Sequence, residues 1–211
     1  MIEKGYWNSV SEKKHFTTPF QAEEFCKYID KNSKILDVGC GYGRTLDELY
    51  QMGYCNLIGI DFAESIINRG RRQFPYLDLR GKETSDINMP VNSVDAVILF
   101  AVLTCIKNNK EQEKLISEIK RILKPNGILY VNDFLLNTDE RNLTRYKKFE
   151  AKYHTYGVFE LPEGAICRHH SEEWIKELLA EFQTYCYKHL TFTTMNGHTS
   201  KGFYFIGSVS K

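Results

Sequence analysis

The 211 residues are 42% hydrophobic and 26% charged, with 28 Lys and Arg against 27 Asp and Glu and a net charge of +1. This composition excludes a disordered or fibrous chain, and the near-neutral balance without a long basic run carries no phosphate-backbone footprint, so no nucleic-acid partner is expected. Six cysteines lacking any C-x-x-C spacing exclude a zinc ribbon or thioredoxin-type pair, so no metal is expected and the thiols read as reduced.

No apolar stretch approaches the ~20 residues that cross a bilayer, and residues 1–10 contain no apolar signal core. A cytoplasmic protein with no membrane partner is expected, as a monomer or homodimer. The length suits one domain, 1–211, divided into an N-terminal lid and helix (1–33), a core (34–134), an insertion (141–170) and a C-terminal hairpin (184–209).

In chain order, Thr18 and Pro19 open a helix whose apolar positions Phe20, Phe25, Tyr28 and Ile29 run to about Asp30. Residues 34–38 form a short apolar strand that enters Gly39-Cys40-Gly41-Tyr42-Gly43, followed by an amphipathic helix over 44–52. A second strand over 56–61 ends at Asp61, a helix over 63–73 stops before Pro75, and 76–80 forms a third strand. Residues 94–100 are almost continuously apolar, as in a strand buried on both faces; a helix over 110–123 ends at Lys124-Pro125-Asn126-Gly127, and 128–134 is the next strand.

Residues 141–156 then read as helix, 158–170 as a surface insertion, and Ser171-Glu172-Glu173 as the cap of a helix to Glu181. Aromatic and β-branched runs over 184–195 and 202–209 flank Asn196-Gly197-His198, a hairpin signal. The expected fold is therefore α/β: a doubly wound, mostly parallel seven-stranded sheet closed by an antiparallel C-terminal hairpin strand, with its ligand crevice at the carboxyl ends of the parallel strands.

The glycine turn lies where such a crevice opens, between strand and helix, and lets a ligand approach the backbone. A dinucleotide fingerprint wants its third glycine at position 44, where Arg44 stands, which disfavours NAD. Asp37 adds a carboxylate at the strand end and suits a cationic ligand better than a pyrophosphate.

Ile35-Leu36-Asp37-Val38-Gly39-Cys40-Gly41-Tyr42-Gly43 resembles the cofactor signature of class I S-adenosylmethionine-dependent methyltransferases. The likeness continues in order through Gly59-Ile60-Asp61, Ser85-Asp86-Ile87-Asn88-Met89-Pro90, Val94-Asp95-Ala96-Val97 and Leu123 to Leu129. It implies S-adenosyl-L-methionine as cofactor and S-adenosyl-L-homocysteine as product. It implies that Gly39, Cys40, Gly41 and Gly43 pack against the methionine and ribose portions and that Asp61 accepts from the ribose hydroxyls. It further implies that Asp86 takes the adenine amino group, the Ile87 amide meets a ring nitrogen, Phe62 stacks near the base, and the Phe100 carbonyl faces the ammonium. Tyr6 and Trp7, with Lys13-Lys14-His15-Phe16, resemble a lid over the cofactor. Bland alternatives stand beside these roles: Asp61 as a helix cap, Asp86 as a turn acid, Phe62 as core.

Methyl transfer from a sulfonium is an in-line displacement that asks chiefly for alignment, plus a base where the acceptor atom carries a proton. His154, His169, His170 and His198 are the candidates for that base or for orienting the acceptor, against the alternative of surface or structural histidines; Asp133 is a further candidate or a cap. The 99–105 segment lacks the Asp/Asn-Pro-Pro-Tyr/Phe signature of base-amino methyltransferases of nucleic acids. The expected acceptor is a small molecule, methylated on O, N or S, held between Tyr6-Trp7, Leu103-Thr104 and the aromatic stretch 153–159. The alternatives are a tRNA or protein methyltransferase and a non-catalytic cofactor-binding module.

Overall fold

In the computed structural model, which describes residues 4–12, 16–82, 87–194 and 197–209, the apolar runs become the middle of one sheet. Its strands are β1 (Ile35–Val38), β2 (Leu57–Asp61), β3 (Asp78–Gly81), β4 (Val94–Phe100), β5 (Leu123–Phe134), β8 (Phe182–Thr193) and β9 (Thr199–Val209). They lie in the order β3-β2-β1-β4-β5-β9-β8, with β1 to β5 parallel and β9 antiparallel to both β5 and β8. Ile35 of β1 stands opposite Leu57 of β2 and Ala96 of β4, and Ala96 stands opposite Ile128 of β5.

The two faces of the sheet follow from side-chain alternation. Ile35, Ala96, Ile98, Ile128 and Tyr130 face one cluster with Phe25 of α2 (Ala22–Phe25), Leu46 and Leu49 of α3 (Arg44–Gln51), and Ile67 of α4 (Glu64–Gln73). Leu36, Val97, Leu99, Leu129 and Val131 face the other, with Ile116, Ile119 and Ile122 of α5 (Asn109–Ile122) and Ile175 and Leu178 of α7 (Glu172–Leu178). Helices on both faces are why β1 and β4 show no polar alternation.

Caps mark the helix starts. Asn108 accepts from the Glu111 amide, and Ser171 accepts from the Trp174 amide, as the Ser171-Glu172-Glu173 pattern requires. Asp139 accepts from the Asn142 amide at the start of α6 (Glu140–Tyr153). The N-terminal helix is α1 (Lys4–Val10).

Two expectations change. The helix read through Asp30 is only α2 followed by a tight 3-10 turn over Cys26–Tyr28, because Ile29 is extended (φ −137°, ψ 150°) as the chain turns toward β1. The segment 158–170, read as a surface insertion, is an antiparallel ribbon of β6 (Val158–Glu160) and β7 (Ile166–Arg168) whose Val158 and Phe159 are buried. Its anchor is the Leu135 and His170 bridge beside β5.

Candidate active site

The carboxyl ends of β1, β2 and β4 open onto a cavity of about 720 Å³, well within the roughly 300–1,000 Å³ of ligand pockets. The amides of Gly39 and Cys40 both donate to the Ile60 carbonyl, at 2.8 and 3.1 Å, which ties the glycine turn to the end of β2. Gly39 and Gly41 have φ +75° and +56°, a region costly for other residues. A Cβ on Gly39 would stand 2.6 Å from Val102 and one on Gly41 2.5 Å from the Phe16 ring, so these two glycines keep the cavity wall open. Gly43 differs from its expected role: it does not line the cavity, and at φ +89° it precedes α3 with its Cα against Leu77 and Leu79.

Two acids stand beneath the turn. Asp61 accepts from the Gly41 amide through Oδ2 (3.0 Å) and from the Ala63 amide through Oδ1 (2.8 Å), leaving a further lone pair on each oxygen. Asp61 thus ties the glycine turn to Ala63, the residue before α4, whose own start has no side-chain cap. Asp37 is buried, and its Oδ1 has no hydrogen-bond partner. Burial, with Asp61 beside it, pushes the Asp37 carboxyl up to about 8. An orphaned buried carboxylate oxygen at a cavity wall fits a cationic ligand group.

Cys40, Phe62, Ile87 and Phe100 also line the cavity, as do Tyr6 and Trp7 of α1. α1 is held over α4 by the Asn8 side chain accepting from the Ser65 amide, and Arg69 donates to the Ser11 carbonyl at 2.8 Å. Phe16 stacks flat on Tyr42 at 5.2 Å, roofing the glycine turn. Asp86, Lys13, Lys14 and His15 lie outside the described residues.

The four histidines separate. His169 lines the cavity, 5% exposed, stacked on Phe134 and set edge-on to Phe159. Its Nδ1 lies 2.6 Å from the Tyr146 hydroxyl and 3.3 Å from the Asn137 amide nitrogen. Burial, with Arg145 nearby, holds it well below the usual histidine range, so the ring is neutral. His198 is exposed at the cavity rim.

His170 was expected beside the cavity but lies in the core. Its Nδ1 faces the Phe134 carbonyl (3.1 Å) and its Nε2 faces Gln112 Nε2 (2.9 Å), so both nitrogens are engaged internally, and burial lowers it to about 3. His154 is also displaced from its expected place: it is exposed, ends α6 in the left-handed region (φ 51°), and does not line this cavity.

Of the expected acceptor wall, Thr104 and Phe159 line the cavity, whereas Leu103, Tyr153 and Tyr156 do not, because the α6 C-terminus turns outward. Asp133 is buried, accepting from the Thr104 and Phe134 amides; it caps the 3-10 turn over Leu103–Cys105 instead of entering the cavity. Burial raises it to about 7.

Sequence reasoning missed Arg141, Arg145 and Tyr146. Arg141 and Arg145 line the cavity, and the Arg145 guanidinium lies 3.5 Å from the Phe159 ring centroid. Their i, i+4 spacing on α6 was the available signal. Among the described residues no cluster of His, Cys, Asp or Glu has a metal-holding arrangement, and no helix is long and apolar enough to cross a membrane.

Residues 36–131 match the family model described as a methyltransferase domain. The chain is 31% identical over 107 residues to a probable S-adenosylmethionine-dependent methyltransferase of Mycolicibacterium smegmatis, covering 51% of this chain and 38% of that protein. It is 31% identical over 138 residues to the eEF1A lysine and N-terminal methyltransferase of Bos taurus, covering 58% of this chain and 19% of that one. The chain thus spans well under half the length of these curated relatives. A solved S-adenosylmethionine-dependent methyltransferase of Methanosarcina mazei superposes with a TM-score of 0.84 at 24% identity, covering 92% of this chain and 99% of the other. With the seven-stranded order, the glycine turn and the acid-lined cavity, these likenesses give the chain the fold of the class I S-adenosylmethionine-dependent methyltransferases, with a region similar to a methyltransferase domain over residues 36–131.

Proposed function

We propose that the chain transfers the methyl group of S-adenosylmethionine to a small-molecule acceptor. The observation that carries the reading is one continuous cavity, running from the Gly39 to Gly41 turn and Asp61 at one end to Phe159 and His169 at the other. When bound, the cofactor supplies an electrophilic methyl on a sulfonium; the chain's own residues bind, orient and exclude water.

In this reading the turn at Gly39, Cys40 and Gly41 cradles the methionine and ribose portions, while the open lone pairs of Asp61 accept from the ribose hydroxyls. Ile87 and Phe62 border the base, with Asp86 beside them in sequence. The orphan Oδ1 of Asp37 and the Phe100 carbonyl face the cationic end. Tyr6, Trp7 and Phe16 close over the turn and keep water out.

His169 contributes as a neutral hydrogen-bonding group and not as a base. Nδ1 lies 2.6 Å from the Tyr146 hydroxyl, while the Asn137 side-chain amide nearby donates to the Leu135 carbonyl and the Ser200 hydroxyl; with the Tyr146 proton on Nδ1, the ring's own proton sits on Nε2. Acceptors that need strong base assistance are therefore disfavoured at this position.

The likeness to the bovine eEF1A methyltransferase favours a second reading, a protein acceptor. The aromatic roof of Phe16 on Tyr42 and the buried Phe159 beside His169 support the enclosed small molecule instead.

Calorimetric titration with S-adenosylmethionine and S-adenosylhomocysteine, with NAD as control, tests the proposal. Micromolar binding of both, weakened at least tenfold by Asp61→Ala, is expected. No binding, or a preference for NAD, would refute it.

A further inference from the structure

The end of the cavity farthest from the acids has its own electrostatic character. Among the described residues, the carboxylates bordering the cavity are Asp37 and Asp61 at the ends of β1 and β2, and Glu111 in the first turn of α5. α6 and the β6 and β7 ribbon add Arg141 and Arg145 to the wall and no acid. Arg141 is exposed and leans on Asp139, at 3.8 Å. Arg145 is half-buried and has no carboxylate partner among the described residues; its Nε is buried without a hydrogen bond.

A partly desolvated guanidinium is normally matched by an acid, and here Tyr146 offers it only a neutral hydrogen-bonding group. Here the position is fixed by packing: the guanidinium lies on the face of Phe159 at 3.5 Å, and Phe159 in turn abuts His169, with ring centroids 5.0 Å apart. Desolvation already lowers Arg145 from its ordinary range. Beside it, His169 has Nδ1 engaged by Tyr146, while Nε2 has no partner among the described residues. A guanidinium held on Phe159 and a neutral histidine packed against both Phe134 and Phe159 thus border the same end of the cavity.

We propose that this end of the cavity is a carboxylate-binding subsite, in which the Arg145 guanidinium and the His169 Nε2–H hold a monoanionic group of the methyl acceptor. The inference rests on the methyltransferase reading above and names its substrate class: a small carboxylate with a planar or apolar body that packs on Phe134 and Phe159. A single guanidinium matches one negative charge, and a forked donor suits a carboxylate's two oxygens. A phosphate monoester brings nearly two charges to a wall whose other cation, Arg141, is exposed and leans on Asp139.

The test uses the whole chain saturated with S-adenosylhomocysteine, whose binding is measured first. Benzoate, phenylacetate and indole-3-acetate are then titrated by calorimetry against their primary amides and against phenyl phosphate. At least one carboxylate is expected to bind ten times or more tightly than its amide and than phenyl phosphate. Arg145→Met, which keeps an aliphatic chain over Phe159, is expected to remove that preference while S-adenosylhomocysteine binds as before. Arg145→Lys should restore part of it.

Equal binding of acids and amides, tighter binding of phenyl phosphate, or no binding of any carboxylate to the loaded protein overturns the subsite. The wild-type comparison of acid with amide decides the matter even if a variant folds poorly. Failure of S-adenosylhomocysteine itself to bind the wild type strikes the methyltransferase reading, which separates the two failures.

Discussion

The Tyr146 hydroxyl lies 2.6 Å from Nδ1 of His169, and this contact reaches across 23 residues from the middle of α6 to the end of the β6 and β7 ribbon. The same hydroxyl accepts from the Asn137 backbone amide at 3.3 Å and lies 3.3 Å from Asn142 Oδ1, so His169 Nδ1, at 2.6 Å, is the nearer partner for its proton. A ring held this way, buried and stacked on Phe134, keeps one tautomer and one orientation.

Nitrogen-15 NMR of the imidazoles should find His169 as the neutral Nε2–H tautomer, without titration between pH 5 and 8. Tyr146→Phe keeps the ring packing but removes the hydroxyl. It should cost about 1 kcal/mol of stability and leave S-adenosylhomocysteine affinity unchanged. A titration near the ordinary histidine value in the wild type would contradict the assigned geometry.

Asp37 predicts how cofactor binding depends on pH. Its carboxyl is raised to about 8, so near pH 7 it is largely protonated in the free protein, and a cationic ligand favours the ionised form. S-adenosylmethionine should therefore release a proton on binding and bind more tightly as pH rises from 6.5 to 8. S-adenosylhomocysteine, which lacks the sulfonium, should show less of both. Calorimetry in buffers of different ionisation enthalpy reads the proton directly, and Asp37→Asn should abolish the difference between the two ligands.

The same group sets the stability of the ligand-free protein. A native carboxyl raised above its unfolded value binds more protons folded than unfolded, so stability falls as pH rises toward that native value. Unfolded histidines are largely neutral only from about pH 7.5; below that, His169 and His170, held low in the fold, oppose the acids, and above it Asp37 dominates the slope. Urea midpoints should fall between pH 7.5 and 8, with a limiting slope of about 1.4 kcal/mol per pH unit for this acid. Asp37→Asn should flatten the curve, and a midpoint that rises over this range would contradict the placement of Asp37.

Gly41→Ala tests the roof. At φ +56° the substitution costs about 1–2 kcal/mol, and its Cβ would displace Phe16 from Tyr42. Chemical denaturation should show that loss, together with weaker binding of S-adenosylhomocysteine. Gly43→Ala should destabilise as well, but with less effect on ligand affinity, since Gly43 faces Leu77 and Leu79 and not the cavity.

His170→Leu should act on stability alone. The Phe134 carbonyl keeps the backbone amide of residue 170 (3.0 Å) and the Gln112 amide keeps the Leu103 and Ile106 carbonyls, so only the imidazole's own bonds are lost, a cost of about 1 kcal/mol. The affinity for S-adenosylhomocysteine should stay within twofold of wild type in the folded fraction, and a selective loss of affinity would return His170 to the site.

The sequence by itself determined the cofactor half. Strand, glycine turn and strand-end acid are neighbours in the chain, so 35–43 and 57–61 announce both their conformation and their place at the carboxyl edge of the sheet. β4 matches its apolar run at both ends, since burial on both faces makes every residue after Asp95 apolar. The acceptor half was decided only by tertiary structure. Adjacent His169 and His170 are indistinguishable in sequence, yet alternation along an extended segment sends one ring to the cavity and the other to Gln112 on α5. Arg145 acquires meaning only when Phe159, fourteen residues later, folds beneath its guanidinium. Contacts within one element leave a periodic trace in the sequence, whereas contacts between α6, the β6 and β7 ribbon and β5 exist only once the chain has closed on itself.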